Sequence, residues 1–118
     1  MKKHPTRFAG YYITEDGKVY RKPHKFFDGK KESDLVEVKQ FLRGGAYTRQ
    51  YASVNISIKN SEGKTIQQIK KYVHRLIAET LIDNPYRYSE VDHIDRNKLN
   101  NRVDNLRWCD RVINRKNR

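Results

Sequence analysis

The sequence predicts an α+β protein: an antiparallel β-rich amino-terminal module, then one helix, then a strand–loop–strand–helix module. Three observations carry this. An Asp-Gly turn sits between two β-prone runs near the amino terminus. An unbroken apolar alternation covers residues 52–58, and one helical stripe covers residues 73–81. Local periods of two and of 3.6 residues report which face of an element meets a core.

The first element is a hairpin. Tyr11-Tyr12-Ile13-Thr14 and Lys18-Val19-Tyr20-Arg21 flank Glu15-Asp16-Gly17, and Asp-Gly between β-prone residues supplies the positive φ that a tight turn needs. Residues 22–46 are rich in charge and glycine and read as mostly irregular. In Ala52-Ser53-Val54-Asn55-Ile56-Ser57-Ile58 every second residue is apolar, so one strand face is buried and the other wet. Asn60-Ser61-Glu62-Gly63-Lys64 reads as a turn and Thr65–Lys71 as the returning strand. Tyr47, Arg49, Tyr51, Ser53, Asn55 and Lys59 are then expected on or beside the solvent side of this ribbon. Aromatic, basic and amide side chains on such a ribbon suit a DNA groove, although an ordinary polar sheet face explains any one of them equally well.

Val73, Leu76, Ile77, Thr80 and Leu81 fall on one helical face, and Asn84-Pro85 ends that helix because the residue before proline is pushed out of helical backbone. Glu90–Ile94 reads as a short strand, Asp95–Asp104 as a polar loop and Leu106-Arg107-Trp108 as a second strand. Asp110 can cap a last helix that begins with Val112 and Ile113. The expected division is residues 1–70 and residues 71–118, or one continuous domain.

Charge narrows the partners. The 118 residues carry 26 Lys and Arg against 14 Asp and Glu, a net charge of +12. Such a surface repels itself unless it meets a polyanion, and nucleic acid is the usual one. Only 36% of residues are hydrophobic, so the core is modest. The lone Cys109 excludes an intrachain disulfide and any zinc site built on Cys pairs. Met1-Lys2-Lys3-His4-Pro5 has no apolar run behind it, so no secretory signal is read and a cytoplasmic setting is expected. Neither a membrane-spanning stretch nor a lipidation signal is present, and no membrane partner or small-molecule cofactor is expected.

In the last segment three positions stand out: the pair Asp92-His93, then Asn105 and Asn114, at 12 and 21 residues beyond His93. Val73-His74-Arg75-Leu76-Ile77-Ala78, Val91-Asp92-His93-Ile94-Asp95 and Asn100-Asn101-Arg102-Val103-Asp104-Asn105-Leu106-Arg107-Trp108 follow one another in order. This run resembles the HNH endonucleases, especially phage homing endonucleases, over about residues 70–118. The hairpin around Tyr12–Arg21 is similar, more weakly, to a small DNA-binding module found ahead of such nuclease domains.

The resemblance implies a ββα-metal fold in which two strands and a helix clasp one divalent cation, Mg²⁺ or Mn²⁺. It matches His93 to the general base, Asp92 to a metal ligand, Asn105 to the middle letter that holds the loop in shape, and Asn114 to the second ligand. It also implies double-stranded DNA as substrate, 5′-phosphate and 3′-hydroxyl products, and a host cell that is bacterial or phage-infected. The larger phage enzymes carry a carboxy-terminal helix-turn-helix. This sequence reaches Arg118 a few residues past the third letter, so long-site specificity is not carried over.

The residue types fit that chemistry on their own terms. Phosphodiester hydrolysis needs an activated water and neutralisation of phosphate charge. A neutral histidine takes a proton from water near pH 7, while a carboxylate and an amide oxygen are hard ligands for a hard dication. One tension is local: neighbours on a regular strand face opposite ways, so Asp92 and His93 serve one site only if the strand ends or bends there.

Duller readings stand beside these. Without its flanking motifs an Asp-His pair is more often a surface turn. His74 reads as structural, as a polar residue heading the core helix, Trp108 as core and Cys109 as a buried filler. Asn117 rivals Asn114 from the same helix face. Arg102, Arg107, Arg111 and Arg115 surround the site in sequence, and one of them is expected to clamp the scissile phosphate through its planar fork. A DNA-binding protein that keeps the scaffold without the chemistry is the alternative. An RNA-binding ribosomal-type protein fits the charge but not the ordered motif. With one catalytic set and strong self-repulsion, a strand-nicking monomer is expected.

Overall fold

In the computed structural model, residues 1–23, 35–44 and 50–112 are described. The strands are β1 (His4–Pro5), β2 (Tyr11–Ile13), β3 (Val19–Arg21), β4 (Val36–Glu37), β5 (Phe41–Arg43), β6 (Tyr51–Lys59), β7 (Thr65–Tyr72), β8 (Glu90–His93) and β9 (Leu106–Cys109). The helix α1 (Val73–Leu81) lies between β7 and β8, and a single 3₁₀ turn, Val103–Asn105, precedes β9. Three antiparallel sheets result, ordered β1-β2-β3-β4, β5-β6-β7 and β8-β9.

The Asp-Gly hairpin forms as expected. Ile13 pairs with Val19, Gly17 N–H donates to Thr14 O at 3.1 Å, and Gly17 sits at φ +95. The alternation in β6 buries Ala52, Val54 and Ile56 while Asn55 stays exposed. Ser53, expected on the wet face, is 3% exposed instead. Its register neighbours Phe41 and Tyr72 flank it from the two adjoining strands, and its hydroxyl donates to Phe41 O at 3.2 Å, so burial leaves it paired. The β6–β7 ribbon projects at its far end, where Ile66 on β7 is largely exposed.

Two strands appear inside the stretch expected to be irregular, β4 and β5. Neither shows a period of its own: each borrows hydrogen bonds from a longer strand beside it, β3 and β6 respectively. Tyr47 and Arg49 lie outside the described residues.

The helix follows β7 without a linking residue. It ends where Ile82 N–H reaches Ala78 O at 3.0 Å, two residues before Asn84. Asn84 then clasps Tyr88, accepting from its N–H at 2.9 Å and donating to its O at 2.8 Å, which returns the chain towards β8. Leu76 and Ile77 of α1 meet Ile13 and Val19 of the hairpin, Val54 and Ile56 of β6, and Val91 and Leu106 of the last sheet in one apolar cluster. That core crosses the expected 70/71 boundary, which itself falls inside β7. Trp108 packs against the cluster and donates its indole N–H to Ile82 O at 3.0 Å, while Cys109 is buried as a free thiol. Arg111 and Val112 begin a helical turn after Asp110. No helix of the described residues is long and apolar enough to cross a membrane.

Candidate active site

The β8–β9 ribbon carries the site, and its register decides which side chain faces what. Asp92 pairs with Arg107, and His93 with Leu106. Partners directly across an antiparallel ladder share a face, so Asp92 and Arg107 are brought together while His93 turns to the other side. Both Asp92 and His93 are buried to 1% exposure. The strand stops at His93, and Arg96 N–H closes a turn onto His93 O at 2.9 Å with Arg96 at φ 66. The strand ends at His93, yet within the ladder Asp92 and His93 still face opposite sides of the ribbon.

Asp92 Oδ2 accepts from Arg107 Nε at 3.0 Å, and Arg107 Nη2 lies 3.0 Å from the same oxygen. Arg107, one candidate for the phosphate clamp, therefore already holds an anion. Oδ1 of Asp92 is equally shut off from solvent.

On the other face, His93 Nε2 lies 2.7 Å from Asn101 Oδ1. A carbonyl oxygen only accepts, so in the neutral ring the proton sits on Nε2 and Nδ1 bears the lone pair. Two further rings pack against it, and a third joins them through His74. The His74 ring is 4.9 Å away and that of Tyr51 is 6.1 Å away, and Tyr72 stacks on His74 at 5.5 Å. Lys98, only 8% exposed, holds its ammonium 6.0 Å from the centre of the Tyr51 ring.

Burial and charge set the protonation of these groups. Desolvation pulls the His93 pKa below 6.5 and the Lys98 ammonium adds to this, while the Asn101 bond and the carboxylates of Asp92 and Asp95 oppose it. His74 is lowered to about 3, first by burial and then by His93, Arg75, Lys98 and Lys71. Both imidazoles are therefore neutral at physiological pH.

The loop after β8 is held by side-chain amides. Asn105 Nδ2 donates to Asp95 Oδ1 at 2.9 Å and Asn100 O at 2.8 Å, and its Oδ1 accepts from Asp95 N–H at 3.0 Å. Asn97 N–H and Asn100 Nδ2 add bonds to the same Asp95 carboxylate, both at 2.8 Å. Donors from Asn100 and Asn97, in that order, hold the Asp95 pKa below its usual value. Asn105 thus joins both ends of the loop.

The remaining expected residues are dispersed. Arg102 is exposed, 3.6 Å from Asp104, and Arg111 is exposed, 3.7 Å from Glu90. Tyr51 belongs to the ring cluster at the root of the ribbon. Asn114, its rival Asn117, and Arg115 lie outside the described residues, as does Arg49. Sequence reading did not single out Asn101 or Lys98 and set His74 aside as structural. Asn101 sits in an asparagine-rich run with nothing to separate it from Asn97 and Asn100, and a buried lysine carries no local mark.

For a divalent cation, Asp92 offers a buried hard-oxygen donor, for which the Arg107 guanidinium is a competing cation. Among the described residues no group of three His, Cys, Asp or Glu side chains converges.

The chain is similar to known proteins in sequence and in fold. Residues 71–116 match the sequence profile of a family described as HNH endonuclease. Two uncharacterised HNH endonucleases of Acanthamoeba polyphaga mimivirus are similar, one 38% identical over 84% of this chain and the other 33% identical over 86%. The chain spans 24% and 21% of their lengths. The fold also matches the HNH homing endonuclease I-HmuI, a solved structure described for DNA binding and cleavage. The TM-score is 0.69 at 25% identity, covering 99% of this chain and 57% of that one.

Proposed function

We propose, from the match of residues 71–116 to the HNH endonuclease family, that this chain is a metal-dependent DNA endonuclease that nicks one strand of a duplex at a time. The observation that carries this reading is the His93 ring: buried, neutral at pH 7, and bonded through Nε2 to Asn101 so that Nδ1 bears the lone pair. That is the state a general base needs before it takes a proton from water. Asp92 would hold one Mg²⁺ or Mn²⁺ ion, with Asn114 as the expected second ligand. When bound, the ion supplies charge neutralisation at the scissile phosphate.

The chain's own residues do the rest. Asn105 keeps the loop closed, the His74 and Tyr51 rings exclude water from one side of His93, and Lys98 adds positive charge beside it. Residues 1–70 carry 15 Lys and Arg against 7 Asp and Glu, while residues 71–118 carry 11 against 7. The larger part of the phosphate contacts is therefore assigned to the amino-terminal sheets and the chemistry to the last module, acting as a monomer in the cytoplasm of a host cell.

One observation favours the silent alternative. The Arg107 guanidinium already neutralises the carboxylate meant for the ion. Incubating supercoiled plasmid with the protein, with and without Mg²⁺ and beside His93→Ala, separates the two. Nicked circles that need both Mg²⁺ and His93 support the nuclease. DNA retardation without any nicking, in Mg²⁺ and in Mn²⁺, leaves the binding protein.

A further inference from the structure

The turn of the amino-terminal hairpin packs against the backbone of the active-site loop. Gly17, at φ +95, lies so close to Asn101 that a Cβ there would stand 2.9 Å from Asn101 O, 3.0 Å from its carbonyl carbon and 3.1 Å from its Cβ. Two residues on, Val103 N–H donates to Glu15 O at 2.8 Å. From the other side Gln40 Nε2 donates to Gly17 O at 2.9 Å, which pins the turn. Asn101 itself is 5% exposed, and its side chain is the one that meets His93 Nε2.

Glycine is required here on two counts. Its φ is one that L side chains rarely adopt, and no side chain fits against the Asn101 backbone. By contrast Gly63, at φ +79 in the β6–β7 turn, has nothing within 4 Å of a built Cβ. The two glycines share the conformational demand but not the close approach.

We propose that the hairpin turn Glu15–Gly17 is a positioning element of the active site: through Asn101 it holds the His93 imidazole in one tautomer and one orientation. The inference rests on the reading of His93 as the base. It makes residues outside the family-matched segment part of the catalytic geometry, because Asn101 is located by packing against residue 17 as well as by its own loop. A ring free to rotate about its side-chain bonds presents the lone pair only part of the time.

The test uses the full chain, single-turnover cleavage at saturating duplex DNA with Mg²⁺, and ring-nitrogen NMR of His93 in the free protein. Asn101→Leu keeps the bulk and removes the acceptor. It is expected to slow cleavage by about tenfold to a hundredfold, the usual cost of losing an orienting partner, with DNA affinity unchanged and the single Nε2–H tautomer lost. Asn101→Asp restores an acceptor and is expected to recover the tautomer and most of the rate. Gly17→Ala should move both readouts in the same direction as Asn101→Leu, and Gly63→Ala should move neither.

If Gly17→Ala does not fold, Gln40→Met, which only unpins the turn, takes its place. Wild-type tautomer and rate in Asn101→Leu overturn the proposal, and so does a Gly17→Ala indistinguishable from Gly63→Ala. A wild-type protein that never cleaves overturns the nuclease reading instead, while the NMR comparison still decides whether the turn controls the ring.

Discussion

Arg107 stands directly across the β8–β9 ladder from Asp92, donates Nε to one carboxylate oxygen at 3.0 Å and holds Nη2 3.0 Å from the same oxygen. The carboxylate is fully buried and the guanidinium is 46% exposed, so the pair lies at the edge of the protein with its anion inside. Removing the cation leaves a buried charge to be matched by something else. Arg107→Ala is expected to lose about 1–3 kcal/mol of stability, less than a fully buried pair because Arg107 is half in water. Millimolar Mg²⁺ should restore more of that loss than it adds to the wild type. Thermal melts of both proteins with and without Mg²⁺ check this, and equal Mg²⁺ effects would mean that the ion does not reach Asp92.

His93→Ala is expected to cut the cleavage rate by about 10²–10⁴-fold, the range for loss of a general base, with little change in DNA affinity. The base acts in the transition state, so its removal belongs in rate and not in binding. Single-turnover rates beside equilibrium binding make the comparison. A variant that cuts at the wild-type rate removes His93 from the mechanism.

The His74 ring makes acid stability predictable. Its pKa falls from 6.5 to about 3 on folding, chiefly through burial, so between those values the unfolded chain binds the proton and the folded one does not. Stability is therefore full above about pH 6.5 and declines as pH falls towards 3, by up to about 1.4 kcal/mol per pH unit from this one group. His74→Phe keeps a ring against Tyr72 and should flatten the decline. Melting temperatures from pH 7 to pH 4 for the two proteins test the sign, and parallel curves would contradict it.

DNA affinity should fall steeply with salt. Residues 1–70 carry a net +8 and residues 71–118 a net +4, so removing phosphate-contacting cations from the amino-terminal sheets should cost most. Each such Lys or Arg changed to Ala should flatten the plot of log affinity against log salt by about one unit. Changing the Lys and Arg residues of positions 1–22 to Ala without altering the slope would move the interface elsewhere.

What the sequence determined alone was everything that repeats within a few residues. The Asp-Gly hairpin, the alternation that buries Val54 and Ile56, the stripe Val73–Leu81 and the strand pair around Asp92-His93 are all local, because side-chain direction follows the backbone period. The ordered motif also placed Asn105, whose amide joins the two ends of one short loop. Tertiary structure decided what depends on distant neighbours. β4 and β5 exist because β3 and β6 offer them hydrogen bonds, and Ser53 is buried because Phe41 and Tyr72 flank it. His74, read as a helix-heading residue, became a face of the His93 pocket, where burial keeps it neutral. Among Asn97, Asn100 and Asn101 the chain alone shows no preference. Asn101 is the one that meets the imidazole, and it is also the one packed against Gly17, more than eighty residues earlier in sequence; close approach between remote segments leaves no trace in local pattern.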